Sequence, residues 1–265
     1  MTRRRLDAEL VRRGLAASRA EAQEAVRAGL VTVGGAPATK VATMVADDAA
    51  VELAGPARRF VSRGGEKLDA ALARFGVDPA GLRCLDAGAS TGGFTDRLLR
   101  GGAAHVTAVD VGYGQLAWSL RGDERVTVLE RTNVRDLHPG DLPTAPELVV
   151  ADLSFISLRL VLPALVGVAS PGARFVVLVK PQFEAGASDV ARGGVVREPG
   201  VWRRVLDQVT TAFAAADVGP QGLMASPVLG PAGNVEFLLY AARGATPAPI
   251  DLDDVVAEAE GIRAS

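Results

Sequence analysis

The sequence contains one cysteine, Cys84, in 265 residues. That excludes a disulfide framework and fits a reducing compartment. Only two histidines, His105 and His138, accompany it, so no Cys/His zinc cluster can be assembled and no metal is expected. No apolar run approaches the roughly 20 residues that cross a bilayer. The N-terminus opens Met1-Thr2-Arg3-Arg4-Arg5 and turns charged again at Asp7 and Glu9, which leaves no apolar core for a secretory leader. A cytoplasmic protein with no membrane partner is expected. What the chain does have is 48% hydrophobic residues with 30 Gly and 15 Pro, the composition of a globular protein long enough for a core domain and a smaller appendage.

A net charge of −2 and a pI near 5.8 argue against nucleic-acid binding only while they are treated as uniform. Residues 1–63 hold 11 Lys/Arg against 7 Asp/Glu, a balance of +4, which leaves −6 for the rest. Part of that deficit sits at the C-terminus, where Asp251, Asp253, Asp254, Glu258 and Glu260 precede Arg263. Residues 246–265 are expected to be a solvated acidic helix or tail.

In the N-terminal block, Leu6, Leu10, Val11 and Leu15 recur at helical spacing, with Arg3, Arg4, Arg5, Arg12 and Arg13 largely off that stripe. Gly14 suits the end of this helix. Ser18-Arg19-Ala20-Glu21 has capping-box spacing for a second helix that ends at Gly29. Leu30–Val33 and Val51–Leu53 read as strands and Gly34-Gly35 as a tight turn. The order helix–helix–strand, followed by Gly-Leu-Val-Thr-Val-Gly-Gly-Ala-Pro-Ala-Thr-Lys (29–40), resembles the S4 RNA-binding domain. Clustered arginines neutralise phosphates and release counterions, and Arg4, Arg5 and Arg19 are the candidates. Gly55-Pro56 marks a boundary between an S4-like domain (1–55) and a linker (56–63). The linker's Arg58-Arg59-Phe60-Val61-Ser62-Arg63 either touches RNA, through Arg59, Phe60 and Arg63, or serves as a hinge.

From Arg83 onward, Cys84–Ala87, His105–Asp110, Val126–Leu129, Leu148–Asp152 and Phe175–Lys180 are short runs apolar on both faces. Such runs are buried parallel strands flanked by helices. Asn234–Tyr240 adds a last strand, taken as antiparallel. The fold class is therefore α/β, a doubly wound Rossmann-like sheet over 64–245 behind a small α+β domain, with ligands at the carboxyl edge of the strands. The first strand runs into Asp86-Ala87-Gly88-Ala89-Ser90-Thr91-Gly92-Gly93-Phe94, whose glycines permit a tight turn and close backbone approach to a ligand. Asp110, 22 residues beyond Gly88, ends the second strand, where a carboxylate can accept both ribose hydroxyls. The spacing is not that of dinucleotide enzymes, and no Gly-x-x-x-x-Gly-Lys-Ser/Thr loop is present. An acid just before the first glycine suits the ammonium or sulfonium of S-adenosylmethionine, which is the expected cofactor.

The methyl acceptor leaves its own trace. Amino-group methyltransferases of bases carry Asn/Asp-Pro-Pro-Tyr/Phe after the fourth strand; here Asp152-Leu153-Ser154-Phe155 stands instead. Carbon-5 pyrimidine methylation needs a nucleophilic cysteine, and Cys84 reads as core. Two lysines and two acids remain at the carboxyl edge: Asp152, Lys180, Glu236 and, from the segment entering the domain, Lys67. Such a set suits a sugar hydroxyl, a weak acid whose proton a neutral amine accepts and whose oxygen a protonated amine steers.

Ser62–Leu68, Asp86–Thr95, Asp110–Leu116, Ala151–Ser157, Lys180–Glu184 and Gly233–Glu236 together closely resemble the TlyA family, S4-plus-FtsJ-like proteins known as hemolysin A and as ribosomal RNA 2′-O-methyltransferases. The resemblance spans nearly the whole chain. It implies a catalytic Lys67–Asp152–Lys180–Glu236 tetrad, a cofactor pocket at Asp86–Phe94, Asp110 and Asp152 with Asn133 near the adenine, and ribosomal subunits as partners. Mycobacterial-like members read Arg-Ala-Trp-Val in the linker where this chain has Arg58-Arg59-Phe60-Val61, so any role of that Trp does not carry over. The basic N-terminal extension and the tail resemble members acting on cytidines of both 16S and 23S rRNA. The alternatives are a non-catalytic RNA-binding assembly factor and a membrane-active hemolysin. If the N-terminal arginines carry the contact, affinity for RNA should fall steeply with salt despite the acidic pI. A salt-independent affinity in a filter-binding titration would overturn that reading of the charge.

Overall fold

The structure, a computed structural model, describes residues 3–16, 19–27, 29–54, 59–191, 193–230 and 232–264. They fall into two compact units, Met1–Ser62 and Arg63–Ser265. Gly55-Pro56 and Arg58, expected at the boundary, lie outside the described residues, as do Ser18 of the expected capping box and the side chain of Glu21.

Unit 1 opens with strand β1 (Arg3–Arg5), paired antiparallel with β4 (Met44–Ala46). The strand hands directly into helix α1 (Leu6–Arg12), and α2 (Arg19–Arg27) follows. Leu6 and Leu10 of α1 and Ala22, Ala25 and Val26 of α2 close on Val31, Val45 and Val51 to form a small core. Gly14 and Gly29, at φ 69° and 71°, take the left-handed backbone that follows each helix. Strand β2 (Val31–Val33) is flanked by β3 (Ala36–Pro37) and β5 (Val51–Leu53), both antiparallel. Gly34 and Gly35 link β2 to β3 with φ of 59° and 80°, the two positive values that a two-residue hairpin loop demands.

Unit 2 enters through α3 (Gly64–Phe75) and builds a seven-stranded sheet in the order β11-β12-β10-β9-β6-β7-β8. The parallel strands are β6 (Arg83–Ala87), β7 (His105–Val109), β8 (Val126–Leu129), β9 (Leu148–Ala151) and β10 (Arg174–Val179). Between them lie α4 (Gly93–Arg100), the one-turn α5 (Trp118–Arg121) and α6 (Leu158–Val168). The chain first winds outward from β6 to β8, then returns to the other side of β6 for β9 and β10. The crevice at this reversal, between the carboxyl ends of β6 and β9, is the natural ligand site of such a sheet.

After the one-turn α7 (Pro181–Glu184), the long α8 (Pro199–Ala215) covers the sheet. Its Trp202 is fully buried, meets Phe237 edge-on at 6.2 Å and donates from Nε1 to the Val196 carbonyl at 3.0 Å. Two antiparallel strands, β11 (Val218–Ala225) and β12 (Phe237–Arg243), complete the sheet. The last strand starts three residues later than its apolar pattern predicts, so Glu236 immediately precedes it. Strand β11 has no counterpart in the sequence reading. Its Pro220 and Gly222 disfavour strand structure, and the pairing accommodates them at the sheet edge through a register shift between those residues.

The acidic C-terminal segment is corrected too. It forms α9 (Leu252–Ala264), which buries Val255, Val256 and Ala259 in the main core. Glu258 accepts the backbone N–H of Ala225 at 3.0 Å. The charges occupy one side of an amphipathic helix, so the segment is neither a tail nor fully solvated. Truncation after Asp251 should lower the unfolding free energy by about 3–5 kcal/mol, from the lost burial of the two valines and the alanine against the core. An unchanged urea midpoint would overturn this packing role.

Candidate active site

The turn after β6 is shaped by protein backbone as much as for a ligand. A Cβ on Gly88, at φ 84°, would stand 2.7 Å from the Asp152 carbonyl oxygen. One on Gly92, at φ 98°, would stand 2.3 Å from a Leu120 methyl. Ser90 itself is held at φ 48°, a strained value for a residue with a side chain. Its N–H donates to Asp110 Oδ2 at 2.8 Å, and the Gly112 N–H donates to Oδ1 at 2.7 Å. Asp110 is thereby fixed at the end of β7. A pocket beside it is lined by Ala89, Ser90, Ala108, Asp110, Gln115 and Glu130, among others. Glu130 follows β8 as Asp110 follows β7, and it accepts from the Gly114 N–H at 2.7 Å and pairs with Arg121. The same strand-end rule would have found it.

Asp86 is wholly buried at the end of β6. Thr95 Oγ1 donates to its Oδ2 at 2.6 Å, while Oδ1 has no hydrogen-bond partner among the described residues. Burial, reinforced by the charges of Asp152 and Asp110, pushes its pKa up to about 7. An orphaned buried carboxylate oxygen beside a pocket with two acids and no lysine or arginine in its lining suits a ligand bearing hydroxyls and positive charge. It does not suit a polyphosphate. Asn133 lies outside that lining. It is exposed, and its Oδ1 accepts from the Arg135 N–H at 3.1 Å to cap a single 3₁₀ turn. Thr91, Gly93 and Phe94 continue from the turn into α4, with Phe94 buried.

The four residues expected at the carboxyl edge form two lysine–carboxylate pairs. Asp152 directly follows β9, and Lys180 directly follows β10. Lys180 Nζ lies 2.6 Å from Asp152 Oδ1 and donates to Ser154 Oγ at 3.0 Å. In the β10–β12 ladder Val179 faces Phe237, so the next positions outward are Lys180 and Glu236. Glu236 is buried and ion-paired with Lys67 from the first turn of α3, itself buried. A Cβ on Gly230 would meet Glu236 Oε1 at 2.6 Å, so that glycine makes room for the carboxylate. Each pair brings a buried cation and an acid to an edge that also carries the cofactor-type turn, an arrangement able to orient and deprotonate a hydroxyl.

Beside the pairs, Phe155 is 90% exposed at φ 64° and tilts against Phe183 at 5.2 Å, with Lys180 Nζ 5.9 Å above the Phe183 ring. A strained, solvent-facing aromatic at a reactive edge offers a flat face to an incoming ring. Buried Glu184 ties this loop down: its carboxylate accepts from Ser157 Oγ and the Leu158 N–H, both at 2.6 Å. Neither role could be read from a linear motif.

Gly88-Ala89-Ser90-Thr91-Gly92 also has the spacing, and Ser90 the positive φ, of a serine-hydrolase nucleophile elbow. No base serves it. His105 opens β7 at the opposite edge, and His138 is exposed beside Asp141. Cys84 is buried, and its thiol is pushed up to about 12, chiefly by burial, which removes it as a nucleophile.

In unit 1 the RNA candidates are not free side chains. Arg4 pairs with Asp47, and Arg5 and Arg19 pair with Asp7. Arg3–Arg5 form a strand, where the sequence pattern places them on the first helix, off its apolar stripe. Phe60 is buried, with the Arg59 guanidinium 5.0 Å from its ring, so it does not present a stacking face to RNA. Arg63 is exposed just ahead of α3.

A reversing parallel sheet with an acid-rimmed crevice at its switch point defines a class I S-adenosylmethionine-dependent methyltransferase. Solved structures agree on the fold; one from Listeria monocytogenes, described as such a methyltransferase, superposes with a TM-score of 0.52 at 15% identity, covering 69% of this chain and 99% of that one. The FtsJ-like methyltransferase model matches residues 60–243 and the S4 domain model residues 4–51. The chain belongs to the FtsJ-like methyltransferases, in the TlyA family that also carries an S4 domain. It is 56% identical to the 16S/23S rRNA (cytidine-2′-O)-methyltransferase TlyA of Mycobacterium tuberculosis, over 90% of this chain and 89% of that one. A solved Streptococcus thermophilus structure carrying the name hemolysin is 40% identical, with a TM-score of 0.80, covering 99% of this chain and 97% of that one.

Between about pH 4 and 7 the folded chain keeps a proton on Asp86 that the unfolded chain has released. Stability of the ligand-free protein should therefore fall as pH rises through that window. Asp86→Asn should flatten this part of the stability–pH curve, and an unaltered slope in denaturant titrations would exclude the buried proton.

Proposed function

We propose that this protein transfers a methyl group from S-adenosylmethionine to the 2′-hydroxyl of a cytidine ribose in ribosomal RNA, acting on 23S and also 16S RNA in the cytoplasm. The observation that carries this reading is the double lysine–carboxylate arrangement, Lys180–Asp152 and Lys67–Glu236, beside an acid-rimmed pocket. The 16S/23S specificity in the name of the mycobacterial relative supports the choice of acceptor. Among the described residues, no helix is long and apolar enough to cross a membrane.

The residues present fit the cofactor. Asp110 would hold the ribose hydroxyls, Glu130 and Gln115 the rest of the nucleoside edge, and Asp86 with the Gly88–Gly93 turn the amino-acid end. S-adenosylmethionine, when bound, supplies a methyl group already activated on a sulfonium. The protein's own task is then positioning. Asp152 and Ser154 hold Lys180 so that its ammonium or amine meets the ribose oxygen, and the hydroxyl proton is released into the Lys180–Asp152 pair as the oxygen takes the methyl. Lys67 and Glu236, buried and mutually neutralised, keep the floor of the site free of an unpaired charge. A ribose inside folded RNA must be turned outward to reach this edge, and Phe155 offers the face against which its base would rest. Unit 1 docks the RNA through its arginines.

With separated 30S and 50S subunits and radiolabelled cofactor, label should appear on a ribose in both. Lys180→Ala should reduce transfer by about 10²–10⁴ while leaving cofactor affinity nearly intact. Retained transfer would refute the role of Lys180, and label on a base would refute the acceptor.

A further inference from the structure

In unit 1 five arginines gather around three carboxylates, and two of those, Asp7 and Glu9, are fully screened from water. Asp7 accepts from Arg5 Nε at 3.1 Å and Nη2 at 3.0 Å, a bidentate pair. It also accepts from Arg19 Nη2 at 3.2 Å and Gln23 Nε2 at 3.1 Å. Glu9 accepts from Arg12 Nε at 2.8 Å and Arg13 Nε at 2.7 Å, with Arg4 Nη1 3.9 Å away. Arg4 also pairs with Asp47, and Arg13 reaches the carbonyls of Ala49 at 2.8 Å and Asp47 at 3.0 Å. The guanidiniums hold both carboxyls well below the usual carboxylate range, so the anions persist at any working pH.

Ion pairing at exposed side chains is a weak reason for this arrangement. Five cations around three anions repel one another, and Arg4, Arg5, Arg12 and Arg19 stay 41–58% exposed, where ion pairs contribute little. What the carboxylates do achieve is geometric. A long, rotamer-rich side chain loses entropy when it docks on a phosphate, and a planar fork already fixed on its other side has lost that entropy in advance. Each guanidinium carries five N–H donors in one plane, more than the carboxylates take up.

We propose that Asp7 and Glu9 are positioning residues for RNA: each fixes a group of arginines so that unit 1 meets the RNA backbone with donors already in register. This inference rests on the RNA-docking role proposed above. It runs against simple charge counting, by which removing an anion from a polyanion-binding unit tightens binding.

The test uses the full chain with Asp7→Asn and Glu9→Gln, assayed on salt-washed 30S and 50S subunits and, for charge alone, on polyuridylate. KM for the subunits should rise about tenfold, the ordering entropy of two arginines, with kcat unchanged. The factor should be the same at low and high salt, because the number of cations is unchanged, while affinity for polyuridylate holds or increases. Subunit binding that stays equal or tightens would overturn the proposal. Should kcat fall as well, signalling a damaged unit, the double variant Arg5→Lys, Arg19→Lys decides. It keeps every charge and loses only the forks; a raised KM supports positioning, and an unchanged KM overturns it. If the unaltered protein methylates neither subunit, the functional reading itself has failed; if it does and the variants match it, only the positioning role has.

Discussion

The site depends on how closely the ends of β6 and β9 approach. The carbonyl of Asp152 occupies the space a side chain at position 88 would need, so Gly88 lets the cofactor-type turn and the acid that pairs with Lys180 share one crevice. Parallel pairing of the two strands sets that approach, from Cys84 opposite Leu148 to Ala87 opposite Ala151. Everything else at the edge is referred to it. Lys180 lies one strand farther along, Glu236 opposite Lys180 in the next ladder, and Lys67 reaches in from a helix to close the second pair. A turn that is backbone against backbone cannot drift, which suits a reaction needing in-line alignment more than strong chemical assistance.

Charge is distributed on the same local principle. In unit 2 some acids line the pocket and others lie on one side of α9, while in unit 1 a smaller number of acids pair with a surplus of arginines. The net value of −2 describes neither. The two sets of carboxylates also differ in kind. Asp7 and Glu9 of unit 1 are saturated by guanidiniums, whereas Asp86 keeps an oxygen without a partner among the described residues and its pKa is raised because burial outweighs the Thr95 hydrogen bond.

The parallel strands, the glycine turn, Asp110, Asp152, Lys180 and Glu236 are legible in the sequence because each sits in or beside an apolar run whose length and spacing are local properties, whereas Lys67, in a helix, has no such run beside it. Features decided by distant contacts are not legible. Strand β11 hides behind Pro220 and Gly222, whose tolerance depends on lying at an edge. The packing of α9 needs a partner surface that its acidic composition does not advertise. Arg3–Arg5 form a strand because Met44–Ala46, some forty residues on, pairs with them. Phe60, between arginines, looks like an RNA-stacking ring and is instead buried. Glu130 was missed although the rule that found Asp110 applies to it unchanged.

The position of α9 in the chain has a consequence for synthesis. All the residues of unit 1 leave the ribosome before any of the methyltransferase sheet, and α9, which packs on β11 and α8, follows every strand of that sheet. A chain interrupted before Leu252 would carry a finished unit 1 on a unit 2 whose core lies open. Until α9 emerges, the surface of β11 and α8 that it covers stays exposed, so the newly made sheet is most prone to aggregate just before that helix is added.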